Sequence, residues 1–338
     1  MRRGLVFGKF MPLHRGHQLL IEAALAECDK VTILVYDSPV GDDTLERMPV
    51  ARRLGWIADL YPQAEQIVSV ADPWFDKPGH DGPEYAERYA RELDFLGRFD
   101  RVFTSEPAYD SFVAALGAEH RVLDESRLLV PISGTAIRAD LYGHRGWMDP
   151  IVYASLIQKV VLVGTESTGK TTLARELARV YDTLWTHEFG REFWVEHGGG
   201  TFADHLELAQ TQLRREHAAA GHARDFLFCD TNAWTTLHWS LFVYGTADVR
   251  LWRLAEATMD DYVWVLCGMD IPFDDDGVRE LGGAKAARMQ DQQVADLRRR
   301  GVEFVTATGS LSDRVQTVTT FLNVTGPEGL TAPGPHLK

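Results

Sequence analysis

Short apolar runs alternate with amphipathic stretches along almost the whole chain. Residues 5–7 read as a short buried strand, and residues 16–26 as a helix with Leu19, Leu20, Ala23 and Ala24 on its inner face. The pattern then predicts a strand at 31–36, a helix at 49–61, a strand at 66–70 and a helix at 84–96. A strand at 102–104, a helix around 109–116 and a strand at 121–123 complete the first half. The stretch 141–155, with Gly143, Gly146 and Pro150, lacks strong periodicity and reads as a junction. Beyond it the alternation resumes, with strands at 160–163, 226–231, 262–267 and 303–307 and helices at 173–180, 203–224, up to about 300, and 311–322. Such alternation predicts an α/β protein of two doubly wound parallel-sheet domains, 1–152 and 153–324, with a Gly/Pro-rich tail, 325–338, read as disordered.

Ligands of doubly wound sheets sit at the carboxyl ends of the strands. In the second half the first strand runs into Gly164-Thr165-Glu166-Ser167-Thr168-Gly169-Lys170-Thr171 and then a helix. That is G-x-x-x-x-G-K-T in its strand, loop, helix setting, the phosphate-binding loop. Its glycines let backbone N–H groups converge on a polyphosphate, with Ser167, Thr168 and Thr172 beside them. Lys170 reaches the terminal phosphates, and the Thr171 hydroxyl suits Mg²⁺. More than 150 residues precede this loop, so the front half must be a domain of its own.

The front half carries a second anion site. Gly8-Lys9-Phe10-Met11-Pro12-Leu13-His14-Arg15-Gly16-His17 links a strand to a helix, with His14 before the helix and His17 in its first turn, so that both imidazoles can face one phosphate. Ile132-Ser133-Gly134-Thr135-Ala136-Ile137-Arg138 closes the half. Ser133 and Thr135 are helix-cap candidates, and Arg138 lies one turn in, on the phosphate side.

Composition narrows the partners. The 338 residues, 45% hydrophobic and 25% charged, are those of a globular protein of about two domains. A formal net charge of −14 argues against a broad nucleic-acid-binding face, so anions must be held by local clusters and helix ends. Cys28, Cys229 and Cys267 are far apart and form no zinc or disulfide pattern, which fits a reducing cytoplasm. Lys9, Pro12, His14 and His17 break the apolar start before it can act as a secretory signal, and no run is long enough for a membrane span.

Further candidates follow the phosphate loop. A strand from Leu184 ending in Glu188-Phe189-Gly190-Arg191-Glu192 delivers two carboxylates and a guanidinium to the sheet edge. The apolar strand 226–231 ends in Asp230, as expected of the Mg²⁺-side acid of a P-loop kinase. Asp274 to Asp276 read as a solvated turn, whereas Arg279, Lys285 and Arg288 in a glycine-hinged segment suit a lid that brings cations to the transferring phosphate.

G-x-F-x-P-x-H-x-G-H paired with I-S-x-T-x-I-R resembles the nucleotidyltransferases that adenylylate NMN or phosphopantetheine. With Lys9 in its second slot, the first motif looks most like the adenylyltransferase domain of the NadR-type NAD-biosynthesis proteins. The order of phosphate loop, E-x-G-R-E, strand-D-T and D-D-G-x-R-x-L-G is similar to the ribosylnicotinamide kinase domain of the same family. The resemblance implies a Rossmann-like nucleotidyltransferase followed by a P-loop kinase. Ribosylnicotinamide is phosphorylated to NMN, and NMN is adenylylated to NAD, with ATP as cosubstrate and Mg²⁺ as cofactor. It makes His14, His17, Arg138, Lys170 and Asp230 catalytic. It sets Gly8, Lys9, Phe10, Ser133 and Thr135 on the first ATP, and Gly164, Ser167, Thr168, Gly169, Thr171, Thr172, Arg279 and Lys285 on the second. Trp74, Glu188, Arg191 and Glu192 fall on substrate, Trp74 being equally readable as a packing residue, and Thr171 and Asp230 on metal. The ligands are small molecules, without nucleic acid or membrane, and a homo-oligomer is compatible.

Two departures from the family pattern carry expectations. The chain starts at the adenylyltransferase strand, without the N-terminal helix-turn-helix of many relatives, so transcriptional repression is not expected. Gly134 stands where relatives often have Ser or Ala, which predicts a loosened helix start and a weaker adenylyltransferase. Phosphopantetheine adenylyltransferase with dephospho-CoA kinase, or a non-catalytic ATP and NAD sensor, are the rival readings.

Overall fold

In a computed structural model, residues 1–37, 48–71, 83–271 and 283–325 are described. Trp74, Arg279, Asp274 to Asp276 and most of the tail 325–338 lie outside them. Chain contacts divide the molecule into two compact units, Met1–Tyr153 and Ala154–Lys338.

The first unit runs β1 (Arg3–Gly8), α1 (Arg15–Glu27), β2 (Lys30–Asp37), α2 (Val50–Leu60), β3 (Gln66–Ala71), α3 (Pro83–Glu92), β4 (Arg101–Thr104), α4 (Asp110–Ala115), β5 (Glu119–Val122), α5 (Gly134–Ala139) and α6 (Pro150–Leu156), the last crossing the junction. The strands form a parallel sheet in the order β3-β2-β1-β4-β5. Strand β1 is central because its Leu5, Val6 and Phe7 are buried by helices on both faces. Leu5, Phe7, Leu34, Tyr89, Val102 and Phe112 make one core cluster, in which the Phe7 ring meets Tyr109 and Phe112 edge-on.

The second unit runs β6 (Gln158–Val163), α7 (Lys170–Val180), β7 (Leu184–Thr186), α8 (Phe189–His197), α9 (Asp204–Ala220), β8 (Phe226–Asp230), α10 (Ala233–Tyr244), α11 (Val249–Ala257), β9 (Tyr262–Cys267), α12 (Gly283–Arg299), β10 (Phe304–Ala307) and α13 (Leu311–Thr325). Its parallel sheet has the order β10-β9-β6-β8-β7. Again the first strand of the unit is central, and the strand order reverses beside it. Each candidate phosphate loop therefore leaves its sheet at the switch point where such sheets hold ligands.

Three helices of the second unit depart from the expectations of periodicity. Glu-Phe-Gly-Arg-Glu does not prolong a strand: β7 stops at Thr186 and α8 starts at Phe189, so Gly190, Arg191 and Glu192 lie in its first turn. Helix α10 is apolar around much of its circumference and lacks a stripe to read, and α11 is short. Among the described residues, no helix is long and apolar enough to cross a membrane.

Helix α9 is tied to the sheet by a buried polar group. The Tyr262 hydroxyl donates to Glu216 Oε2 at 2.6 Å, and Lys159 Nζ stands 3.7 Å away. Burial outweighs these partners and lifts the Glu216 carboxyl to about 7, against an ordinary 4.5. The folded state thus holds the proton more tightly than the unfolded one. This stability is fully present below about pH 4.5 and is lost as pH rises through about 7, by an amount of order 2 kcal/mol. Denaturant titrations at pH 5 and pH 8 should show that fall for the second unit, and Glu216→Gln should flatten it; an unchanged slope in the variant would remove Glu216 as its source.

Candidate nucleotide-binding sites

In the first unit the loop after β1 is shaped by its own side chains. His14 is the N-cap of α1: its Nδ1 accepts from Gly16 N at 3.1 Å, while its backbone N–H points to His17 Nδ1 at 3.4 Å, a reciprocal capping box. The two rings lie 3.9 Å apart between centroids, and Phe10 packs against His17 at 4.8 Å. Phe10 is fully buried at a φ of 52°, so its side chain supports the histidines from below. Burial and the Arg127 charge lower His14 to about 4; burial and the neighbouring His14 hold His17 well below 6.5. Both rings are therefore neutral near pH 7, and a bound polyphosphate would draw protons onto them.

The second signature meets this loop directly. Ser133 Oγ accepts from Ala136 N at 3.2 Å as the N-cap of α5. Arg138 donates from Nη1 to the Met11 carbonyl at 2.8 Å and from Nη2 to Thr135 Oγ1 at 3.2 Å. Gly134 does not loosen this start. A Cβ there would lie 2.9 Å from the Met11 carbonyl oxygen, so glycine lets the helix end and the histidine loop touch.

Arg53 of α2 was not singled out by any motif, yet its side chain is fully buried. It donates to the carbonyls of Lys9 (2.7 Å), Tyr36 (2.9 Å) and Met48 (2.9 Å) and to Asp37 Oδ1 (3.0 Å). Lys9 itself is exposed on the loop, and Gly8 packs against the Phe10 ring.

In the second unit Gly164, Ser167 and Gly169 take φ values of 139°, 62° and 81°, the left-handed turns that let the loop curl. Thr168 Oγ1 and Lys170 Nζ both donate to the Thr165 carbonyl at 2.8 Å. Two residues with no motif of their own brace it. Gln290 of α12 accepts from Thr165 N at 2.9 Å and donates to the Cys267 carbonyl at 2.8 Å. Arg314 of α13 donates to the Thr168 carbonyl at 2.8 Å and to Asp270 Oδ1 at 2.6 Å.

A cavity of about 340 Å³ opens over this loop. The run 164–172 lines it together with Glu188, Arg191, Trp194, His205, Gln212, Trp239 and others. At its edge Thr171 Oγ1 donates to Asp230 Oδ2 at 2.5 Å. Asp230 is fully buried, and its other oxygen, Oδ1, has no hydrogen-bond partner. Burial raises the Asp230 carboxyl despite Lys170; burial and the nearby Asp230 raise Glu188 to about 7. An orphaned carboxylate oxygen beside a threonine hydroxyl fits Mg²⁺, which takes one or two protein oxygens and completes its shell from phosphates and water.

Two predicted residues stand elsewhere. Glu192 is exposed and pairs with Arg215 at 2.7 Å and His187 at 3.5 Å, because helix α8 turns it away from its neighbours Gly190 and Arg191, which line the cavity. Lys285 is exposed in the first turn of α12 and does not line the cavity.

An AAA domain family model matches residues 159–314. The trifunctional NAD biosynthesis/regulator protein NadR of Escherichia coli (strain K12) is 27% identical over 325 residues, 89% of this chain and 78% of that protein. The chain is similar to the NadR proteins along most of its length. The Salmonella typhimurium NadR matches to the same extent, and a nicotinamide-nucleotide adenylyltransferase of Methanocorpusculum labreanum is 27% identical over 44% of this chain and 83% of its own. A crystal structure of NadR in complex with NR superposes with a TM-score of 0.61 at 20% identity, covering 96% of both chains. NadR thus shares the two-sheet fold as well as the sequence pattern.

Two substitutions test the bracing. Gly134→Ala should destabilise the first unit by about 1–2 kcal/mol in chemical denaturation, since Met11 must move; equal stability would mean that the contact yields freely. Gln290→Leu should weaken titrated binding of a non-hydrolysable ATP analogue about tenfold, by leaving Thr165 N–H unpaired. Unchanged affinity would show that the loop holds its own shape.

Proposed function

We propose that the chain makes NAD in two ATP-dependent steps, with kinase chemistry in the second unit and adenylyl transfer in the first. The observation that carries the reading is the cavity over the phosphate loop. Its lining combines Lys170 and Thr171, the latter bonded to the buried Asp230, with the rings of Trp194 and Trp239, a size and a mix of charge and aromatic surface that suit a nucleoside. NadR similarity over both units supplies the substrates: ribosylnicotinamide, NMN and ATP.

In the second unit the 5′-hydroxyl oxygen of ribosylnicotinamide attacks the γ-phosphorus of ATP, releasing ADP. Glu188, poised near neutrality, takes the hydroxyl proton, while Lys170 and the loop N–H groups stabilise the transferring phosphoryl charge. Thr171 and Asp230 would hold Mg²⁺, which supplies charge neutralisation at the phosphates when bound. Arg191 lines the same cavity.

In the first unit the phosphate of NMN attacks the α-phosphorus of ATP and pyrophosphate leaves. No covalent enzyme intermediate is needed. His14, His17 and Arg138, with Lys9 and the N–H groups of Gly8, Ser133 and Thr135 nearby, position both anions and stabilise the leaving group. Three unpaired cysteines accord with a cytoplasmic setting, and all proposed ligands are small molecules.

Product analysis after incubation with ribosylnicotinamide and Mg-ATP separates the steps. His17→Ala should accumulate NMN with NAD formation down ~10²–10³-fold, and Lys170→Ala should form neither from ribosylnicotinamide while still converting added NMN. Failure of the wild-type chain to consume either substrate would overturn the reading.

A further inference from the structure

The cavity of the second unit is lined by two chemically distinct sets of side chains. Glu188 lies in the fields of Asp230, Lys170, Glu166 and Arg191, a charged set. Trp194, Leu208, Trp239 and Met289 add an aromatic and apolar lining, and His205 lines the cavity with them. His205 is 1% exposed, and its ring meets Trp194 and Tyr244 edge-on at 6.3 and 5.5 Å.

The hydrogen bonding of this ring fixes which nitrogen does what. Nδ1 lies 2.9 Å from the Thr201 carbonyl oxygen. A carbonyl only accepts, so Nδ1 carries the proton and Nε2 of the neutral ring presents a lone pair. Nε2 is buried and has no hydrogen-bond partner. Buried polar atoms are rarely left so, and because the His205 ring lines the cavity, a ligand there is the simplest partner to complete it.

We propose that His205 Nε2 is a specificity-determining acceptor that takes an N–H from the exocyclic carboxamide of a nicotinamide-type base. This rests on the reading of the cavity as a nucleoside site. The ribose hydroxyls belong beside the charged set, where the phosphoryl group is transferred, and the flat base belongs among the tryptophans. A carboxylate in place of the amide sets lone pair against lone pair, and a methyl ketone leaves Nε2 unpaired; both are disfavoured.

The test measures kcat/KM for phosphorylation of three nucleosides by the full chain with Mg-ATP: nicotinamide riboside, nicotinic acid riboside and 3-acetylpyridine riboside. Wild type should prefer the amide by ~10²-fold over each analogue. His205→Phe should bring the three within about threefold by lowering the amide's value, leaving the KM for ATP unaltered. Equal use of the acetyl analogue by wild type overturns the inference, even if the variant fails to fold. So does undiminished discrimination in a folded His205→Phe. Turnover of none of the three by wild type sinks the functional reading, and this inference with it; turnover without discrimination sinks only the inference.

Discussion

A loop that offers its N–H groups to an anion must turn its carbonyls the other way, and those carbonyls need donors of their own. In both units a guanidinium from elsewhere in the chain supplies them. Arg53 takes the Lys9 carbonyl and Arg138 that of Met11; Arg314 takes the Thr168 carbonyl. Hydrogen bonds from a charged donor contribute about 1.5–3 kcal/mol each, several times what the soft dihedrals of a short loop resist. The curl of each loop is thus reinforced from behind by side chains far away in sequence, which leaves its N–H groups to the ligand side. An acidic protein of net charge −14 can bind polyphosphates this way because the positive field is local.

The electrostatics of the two sites differ in kind. The first relies on two neutral imidazoles pressed together, whose charge is withheld by burial. The second sets a lysine against two carboxyls that burial has raised toward neutrality. On the proposed function, phosphate would add negative charge to the first and invite a cation in the second, so the two sites would answer to nucleotide in opposite senses of proton affinity.

Much of this was legible in the residues alone. Both loops announce themselves because glycine, histidine, lysine and threonine at fixed spacing have few other uses, and the alternation of strands with amphipathic helices gives the parallel sheets. The register of Glu188 to Glu192 was not legible. Helix α8 begins after only two residues of exit from β7, so the pattern of apolar positions resembles a prolonged strand until the turn separates Arg191 from Glu192. Helix α10 escaped because it is buried on several sides and shows no polar stripe. Arg53, Gln290 and Arg314 carry no local signature at all, since each acts through partners from other segments of the fold, and His205 gains its place only when the fold brings it to the cavity.

The approach of Gly134 to the Met11 carbonyl joins two stretches that lie more than a hundred positions apart in the chain. Neither can drift alone: a bulkier residue at one needs a retreat of the backbone at the other. Over evolutionary time the paired signatures should therefore travel as a single heritable character, with substitutions at 134 answered by compensating changes around 11.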